Sequence, residues 1–96
     1  MLIDNLHSKR TEINALVAHY GARRIRVFGS VARGEELLES DVDFLVDFPQ
    51  GYDLFKQRIP LMNSLSQLIG RKVDLIPEHE LNPHIKQQVL SEAKEL

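Results

Sequence analysis

Between Val42 and Phe48 the residues alternate. Val42, Phe44, Val46 and Phe48 point one way, and Asp43, Leu45 and Asp47 point the other. A period of two belongs to an extended strand, so this segment must lie in a sheet. One side of that strand is apolar and the other carries carboxylates. Pro49-Gln50-Gly51 ends it.

The flanking segments alternate between helical and extended patterns. From about Ile3 to Tyr20, Leu6, Ile13, Leu16, Val17 and Tyr20 form one helical stripe, which Gly21 terminates. Arg24 to Phe28 is a short strand with Ile25 and Val27 on one face, and Ser30 to about Leu37 is a short helix. A helical pattern runs from Tyr52 to Ile69, and Pro60 should kink or split it. Lys72 to Ile76 is a third strand. Asn82-Pro83 supplies an N-cap and a first-turn proline for a closing helix with Ile85, Val89, Ala93 and Leu96 on its buried stripe. The predicted order is α-β-α-β-α-β-α, an α/β (α+β) fold in which helices flank a small mixed sheet. Residues 1–96 are expected to form one domain, since 96 residues suffice for a single core and little more.

The alternation places chemistry as well as structure. Asp41 and Asp43 are two residues apart, so they project to the same face with alpha carbons roughly 6.5 Å apart. Two unpaired carboxylates at that distance repel, and one must take up a proton unless a cation lies between them. Hard oxygen donors select magnesium or manganese over soft-ligand metals. Asp74 lies between apolar Val73 and Leu75. If its strand runs parallel beside the Asp43 strand, with the Tyr52–Ile69 helix as crossover, Asp74 reaches the same face. Across a gap of ten residues ahead of Asp41 stand Gly29 and Ser30 in Phe28-Gly29-Ser30-Val31-Ala32-Arg33-Gly34. For that turn to meet the acids, the first two strands must run antiparallel. A glycine there lets backbone approach a ligand closely, the following amides and the Ser30 hydroxyl suit phosphate, and Arg33 can meet phosphate or pair with an acid. Asp74 is then a third carboxylate that eases deprotonation of an incoming hydroxyl, or a ligand for a second metal.

Taken singly, each element has an ordinary structural explanation: a capped turn, a loop-to-strand junction, a hydrogen-bonded strand aspartate. Their conjunction points to phosphoryl-transfer chemistry, specifically transfer of a nucleotidyl group. Other motifs are excluded. The glycines fit neither the phosphate loop that ends in Gly-Lys-Ser/Thr nor the dinucleotide Gly-x-Gly-x-x-Gly, and the Asp41 run lacks the later ligand and glycine of a calcium loop. Phe28 and Ala32 stand where a hydrolase elbow needs glycines. His7, His19, His79 and His84 have no metal-ligand spacing and read as surface residues. Asp47 shares the face of Asp43 and falls at the rim of the site.

Composition narrows the partners. The net charge is −2, from 12 basic and 14 acidic residues, which argues against direct binding of long nucleic acid. Arg23, Arg24 and Arg26 cluster locally, either as a solvated strand edge or as a small positive pocket or docking face. With no cysteine, disulfides and thiol nucleophiles are excluded, and a reducing cytoplasm fits. No stretch approaches the ~20 apolar residues of a membrane span, and the start lacks a secretory pattern.

At Gly29-Ser30, the ten-residue gap, Asp41-x-Asp43 and Val73-Asp74-Leu75, the chain resembles the DNA polymerase beta-like nucleotidyltransferases. Within them it is similar to the minimal nucleotidyltransferase (MNT) proteins, the antitoxin partners of HEPN-domain toxins, along essentially its whole length. The resemblance implies magnesium-dependent transfer of AMP from ATP, with pyrophosphate released, onto a tyrosine hydroxyl of a HEPN ribonuclease toxin in a hetero-oligomer. By the same resemblance Gly29 and Ser30 hold the triphosphate, Asp41 and Asp43 bind metal, and Asp74 is the third acid. Larger relatives carry a second helical domain. The chain ends with its last helix, so a partner subunit is expected to complete the site. Two other functions fit the same residues: a module that neutralises a toxin by contact alone, and a nucleotidyltransferase acting on a small molecule such as an aminoglycoside.

Overall fold

A computed structural model describes all 96 residues. The first two helices are α1 (Leu2–Ser8) and α2 (Arg10–His19), followed by strand β1 (Arg23–Phe28) and a one-turn helix α3 (Gly29–Arg33). Strand β2 (Val42–Asp47) leads through a π-helical turn (Leu54–Arg58) into α4 (Ile59–Ile69) and strand β3 (Val73–Pro77). A 3₁₀ turn (Glu78–Glu80), α5 (Pro83–Glu92) and a two-residue strand β4 (Lys94–Glu95) complete the chain. The sheet order is β3-β2-β1-β4. β1 runs antiparallel to β2, and β2 parallel to β3. This is the mixed sheet that the placement of the acids demands, with α4 as the crossover.

The alternation in β2 sorts the two sides of the sheet. Val42, Phe44, Val46 and Phe48 join Ile25, Val27, Val73 and Leu75 in a main core closed by Leu6, Ile13 and Val17 on one side and Leu61, Leu65 and Ile69 on the other. The opposite face holds a second, smaller cluster of Phe28, Leu45, Leu81 and Val89, where α5 packs. No helix is long and apolar enough to cross a membrane.

Turn chemistry places most boundaries as expected. Gly21, at φ +77°, follows the end of α2. Pro60 opens α4 directly after the π-helical turn, which Asp53 caps by accepting from the amides of Phe55 and Lys56 at 2.9 Å. Asn82 accepts from the His84 amide at 2.9 Å and caps α5.

Four expectations need correction. The single helix expected over residues 3–20 is broken at Lys9, whose ammonium reaches the Leu68 carbonyl at 3.1 Å near the C-terminal end of α4. Leu6 and Ile13 stay fully buried across the break. Because both remain on the core side, apolar spacing could not reveal it. The helix after the glycine turn closes at Gly34, which adopts φ +72°, rather than near Leu37. The last helix stops at Glu92 instead of reaching Leu96, because β4 pairs with the open edge of β1 and satisfies backbone groups that edge would otherwise expose. Finally, Ile85 is 48% exposed instead of lying on a buried stripe.

The arginine cluster divides: Arg23 and Arg24 stay exposed on β1, as a solvated strand edge requires, whereas Arg26 does not. Arg26 is buried, with Nη2 donating to Asp47 at 2.6 Å and Nη1 to Glu78 at 2.5 Å, while Arg24 pairs with Glu95 at 2.5 Å. Asp47 is thereby committed to an internal ion pair. A hollow lined by Gly21, Arg23, Asp47, Phe48 and Pro49 lies at this end of the β1–β2 ladder, remote from the other acids.

Candidate active site

The acids gather where β1 ends and β2 and β3 begin. Phe28 pairs with Asp43 across the antiparallel ladder, and Asp43 pairs with Asp74 across the parallel one. Residues opposite one another on neighbouring strands share a face, so Asp74 is brought beside Asp43 as the sequence reading required. Asp41 lies one residue ahead of β2 and is half-buried. Asp74 is the exposed member of the three.

These carboxylates feel one another. Burial, followed by the charges of Asp74 and Asp41 and a hydrogen bond with Asp74, pushes Asp43 up to about 6, and Arg33 works in the opposite direction. No three His, Asp or Glu side chains are drawn into metal-ligating geometry. The acids therefore share a region without forming a finished coordination shell. The donor set still fits a hard divalent cation: it is all oxygen, and it contains a carboxylate whose ionised form is opposed by two like charges that such an ion would balance.

Gly29 is required at its position for two reasons. Its φ is +73°, which side-chain-bearing residues rarely adopt, and a Cβ there would collide with Asp43 Oδ2. The close approach joins the turn to the acids. Its amide is already engaged, because Glu92 Oε1 accepts it at 3.0 Å. Gly29 therefore offers a ligand an absence of bulk rather than a free donor, and Ser30, half-exposed beside it, carries the hydroxyl. Arg33 pairs with acids on both sides: Nε donates to Glu35 at 3.2 Å, and Nη1 to the two Glu92 oxygens at 3.2 and 3.1 Å.

Glu92 carries no mark in the sequence. It lies 63 residues from Gly29, and nothing in the spacing of α5 distinguishes it from a solvated helix acid. Only the docking of α5 reveals its contacts.

The model of the nucleotidyltransferase domain family matches residues 10–96. The chain belongs to that family. A member from Thermococcus cleftensis, named protein adenylyltransferase MntA, is 45% identical over 73 residues, covering 76% of this chain and 73% of the relative. A Methanocaldococcus jannaschii protein, whose name proposes protein adenylyltransferase activity, is 32% identical over 89 residues, covering 93% and 95%. Among solved structures, one described as a proposed minimal nucleotidyltransferase superposes with a TM-score of 0.85 at 43% identity, over 100% of this chain and 97% of the other. A toxin–antitoxin complex with AMP-PNP contains a chain that superposes at 0.74 with 25% identity, over 88% and 69%. Family members thus share this fold, and the Thermococcus relative is named a protein adenylyltransferase.

Proposed function

We propose that this nucleotidyltransferase domain, residues 1–96, transfers AMP from ATP to a hydroxyl of a partner protein, specifically a tyrosine of a HEPN-domain toxin, and silences that toxin by modification. The observation that carries the reading is the Asp43–Asp74 pairing beside a glycine that cannot bear a side chain. The names of the relatives and the AMP-PNP complex support ATP as donor and a protein as acceptor.

The residues divide the work as follows. Asp41 and Asp43 would hold a magnesium ion, or manganese, with Asp74 beside them. When bound, the ion neutralises phosphate charge and orients the triphosphate. Gly29 admits the nucleotide close to the backbone, Ser30 donates its hydroxyl to a phosphate oxygen, and Arg33 presents its free Nη2 edge to the same anion, since Nε and Nη1 are taken. The acceptor oxygen bonds to the α-phosphorus as the bond to the pyrophosphate oxygen breaks. The acceptor's proton passes to Asp74, the acid an incoming protein side chain can reach. Within the cell the reading places the protein with its toxin in the cytoplasm.

The test is to incubate the protein with labelled ATP, magnesium and a HEPN-domain protein encoded beside it in the same genome. The expected result is AMP-sized mass on the partner, reduced by about 10²–10³-fold in Asp41→Ala and Asp43→Ala. If those variants neutralise the partner as well as the parent does, neutralisation is by contact and the catalytic reading is wrong.

A further inference from the structure

We propose that Glu92 is a positioning residue of the nucleotide site, holding the Gly29 turn and Arg33 in the arrangement that receives the triphosphate. The inference rests on the nucleotide-binding reading of Gly29, Ser30 and Arg33.

β4 pairs with β1 so that Arg26 stands opposite Glu95 and Val27 opposite Lys94. Continued past the ends of both strands, the same antiparallel register sets Gly29 opposite Glu92. The short edge strand therefore aims the last residue of α5 at the glycine turn. From the other direction α5 is held by the Asn82 cap and by Leu81 and Val89, buried against Phe28 and Leu45. Glu92 stands on a fixed base, and its side chain is only 17% exposed.

From there one carboxylate performs two tasks. Oε1 accepts the Gly29 amide, a donor that would otherwise lack a partner at a left-handed turn between a strand and a helix. Both oxygens receive Arg33 Nη1. Charge-assisted bonds of this kind fix a guanidinium that would otherwise sample many rotamers. Asp43 abuts Gly29 from β2 while Glu92 bonds it from α5, so two carboxylates from separate elements clamp the turn. Glu92 itself touches neither metal-binding acid and acts through Gly29 and Arg33.

The experiment measures Mg·ATP binding and steady-state transfer in the full chain with its partner. Glu92→Ala removes both tasks, and we expect the Kd and KM for ATP to rise about tenfold while kcat changes less than about threefold. Glu92→Gln keeps an acceptor for the Gly29 amide and should recover part of that loss. In an Arg33→Ala background the Glu92→Ala effect should shrink, since the two residues act together. Melting without nucleotide separates folding from positioning. A lower melting temperature with unchanged KM and Kd makes Glu92 merely structural and overturns the proposal. Tighter ATP binding by Glu92→Ala overturns it in the other direction, making Glu92 a competitor for the phosphate. If the parent binds no Mg·ATP, the nucleotide reading falls and takes this inference with it, a result distinct from a parent that binds and a variant that binds equally well.

Discussion

The two faces of the sheet are built on different principles. One is a dry core of 17 buried residues, supplied by α1, α2, α3 and α4 together with the apolar side of every long strand. The other has four buried apolar residues, and around them stand Asp43, Asp74, the Arg26–Asp47–Glu78 ion pairs and the Glu92 clamp. The first face supplies most of the stability, by burial. The second gives up burial to hold charges at fixed positions, and it depends on the first to keep the strands in register. The site is therefore a rigid-backbone feature: Asp43 and Asp74 meet because Val42, Phe44, Val73 and Leu75 pack on the other side of the same strands.

The largest effect that probes this division is expected on the dry face. Phe44 is fully buried, and Phe44→Ala should cost about 3–5 kcal/mol, measured by urea denaturation. A cost below about 1 kcal/mol would mean the main core does not support the acid face. Gly29→Ala sits on the charged face and should destabilise by about 1–3 kcal/mol, from the left-handed φ and the collision with Asp43 Oδ2. Combining it with Asp43→Ala should recover the part due to collision and leave the backbone strain. Full additivity of the two changes would deny the close contact.

The smallest effect is electrostatic and has a definite sign. Asp43 is raised from 3.8 to about 6 in the fold, so the native state keeps a proton that the unfolded chain releases. Its contribution to stability is fully present below pH 3.8 and is lost as pH rises through about 6. In chelator-treated protein, Asp43→Asn should match the parent near the bottom of that window, gain on it through the window, and keep a constant advantage above it. Excess magnesium should stabilise the parent at pH 7 and leave the variant nearly unchanged. A constant difference across all pH values would show that neither burial nor the neighbouring acids raise Asp43 in the fold.

Much of this molecule could be read before any coordinates. Gly21, Pro60 and Asn82-Pro83 mark their boundaries because turn and cap chemistry acts within a few residues. Lys9 and Glu92 were invisible for the converse reason. Lys9 donates to a carbonyl 59 residues away, and Glu92 accepts from an amide 63 residues away. The arginine cluster shows the same limit: its local charge density suggested a positive surface, and three carboxylates from distant segments neutralise Arg24 and Arg26.

The order of residues alone determined which side of β2 is apolar, that Asp41 and Asp43 share the other, and that a bare turn stands ahead of them. These properties follow from dihedral periods and glycine's freedom, which need no partner. Tertiary structure decided that Asp74 lies in register with Asp43, that β4 brings Glu92 opposite Gly29, and that Arg26 is spent on buried ion pairs. Register between elements is selected by burying apolar faces together across long stretches of chain, and no local pattern encodes that sum.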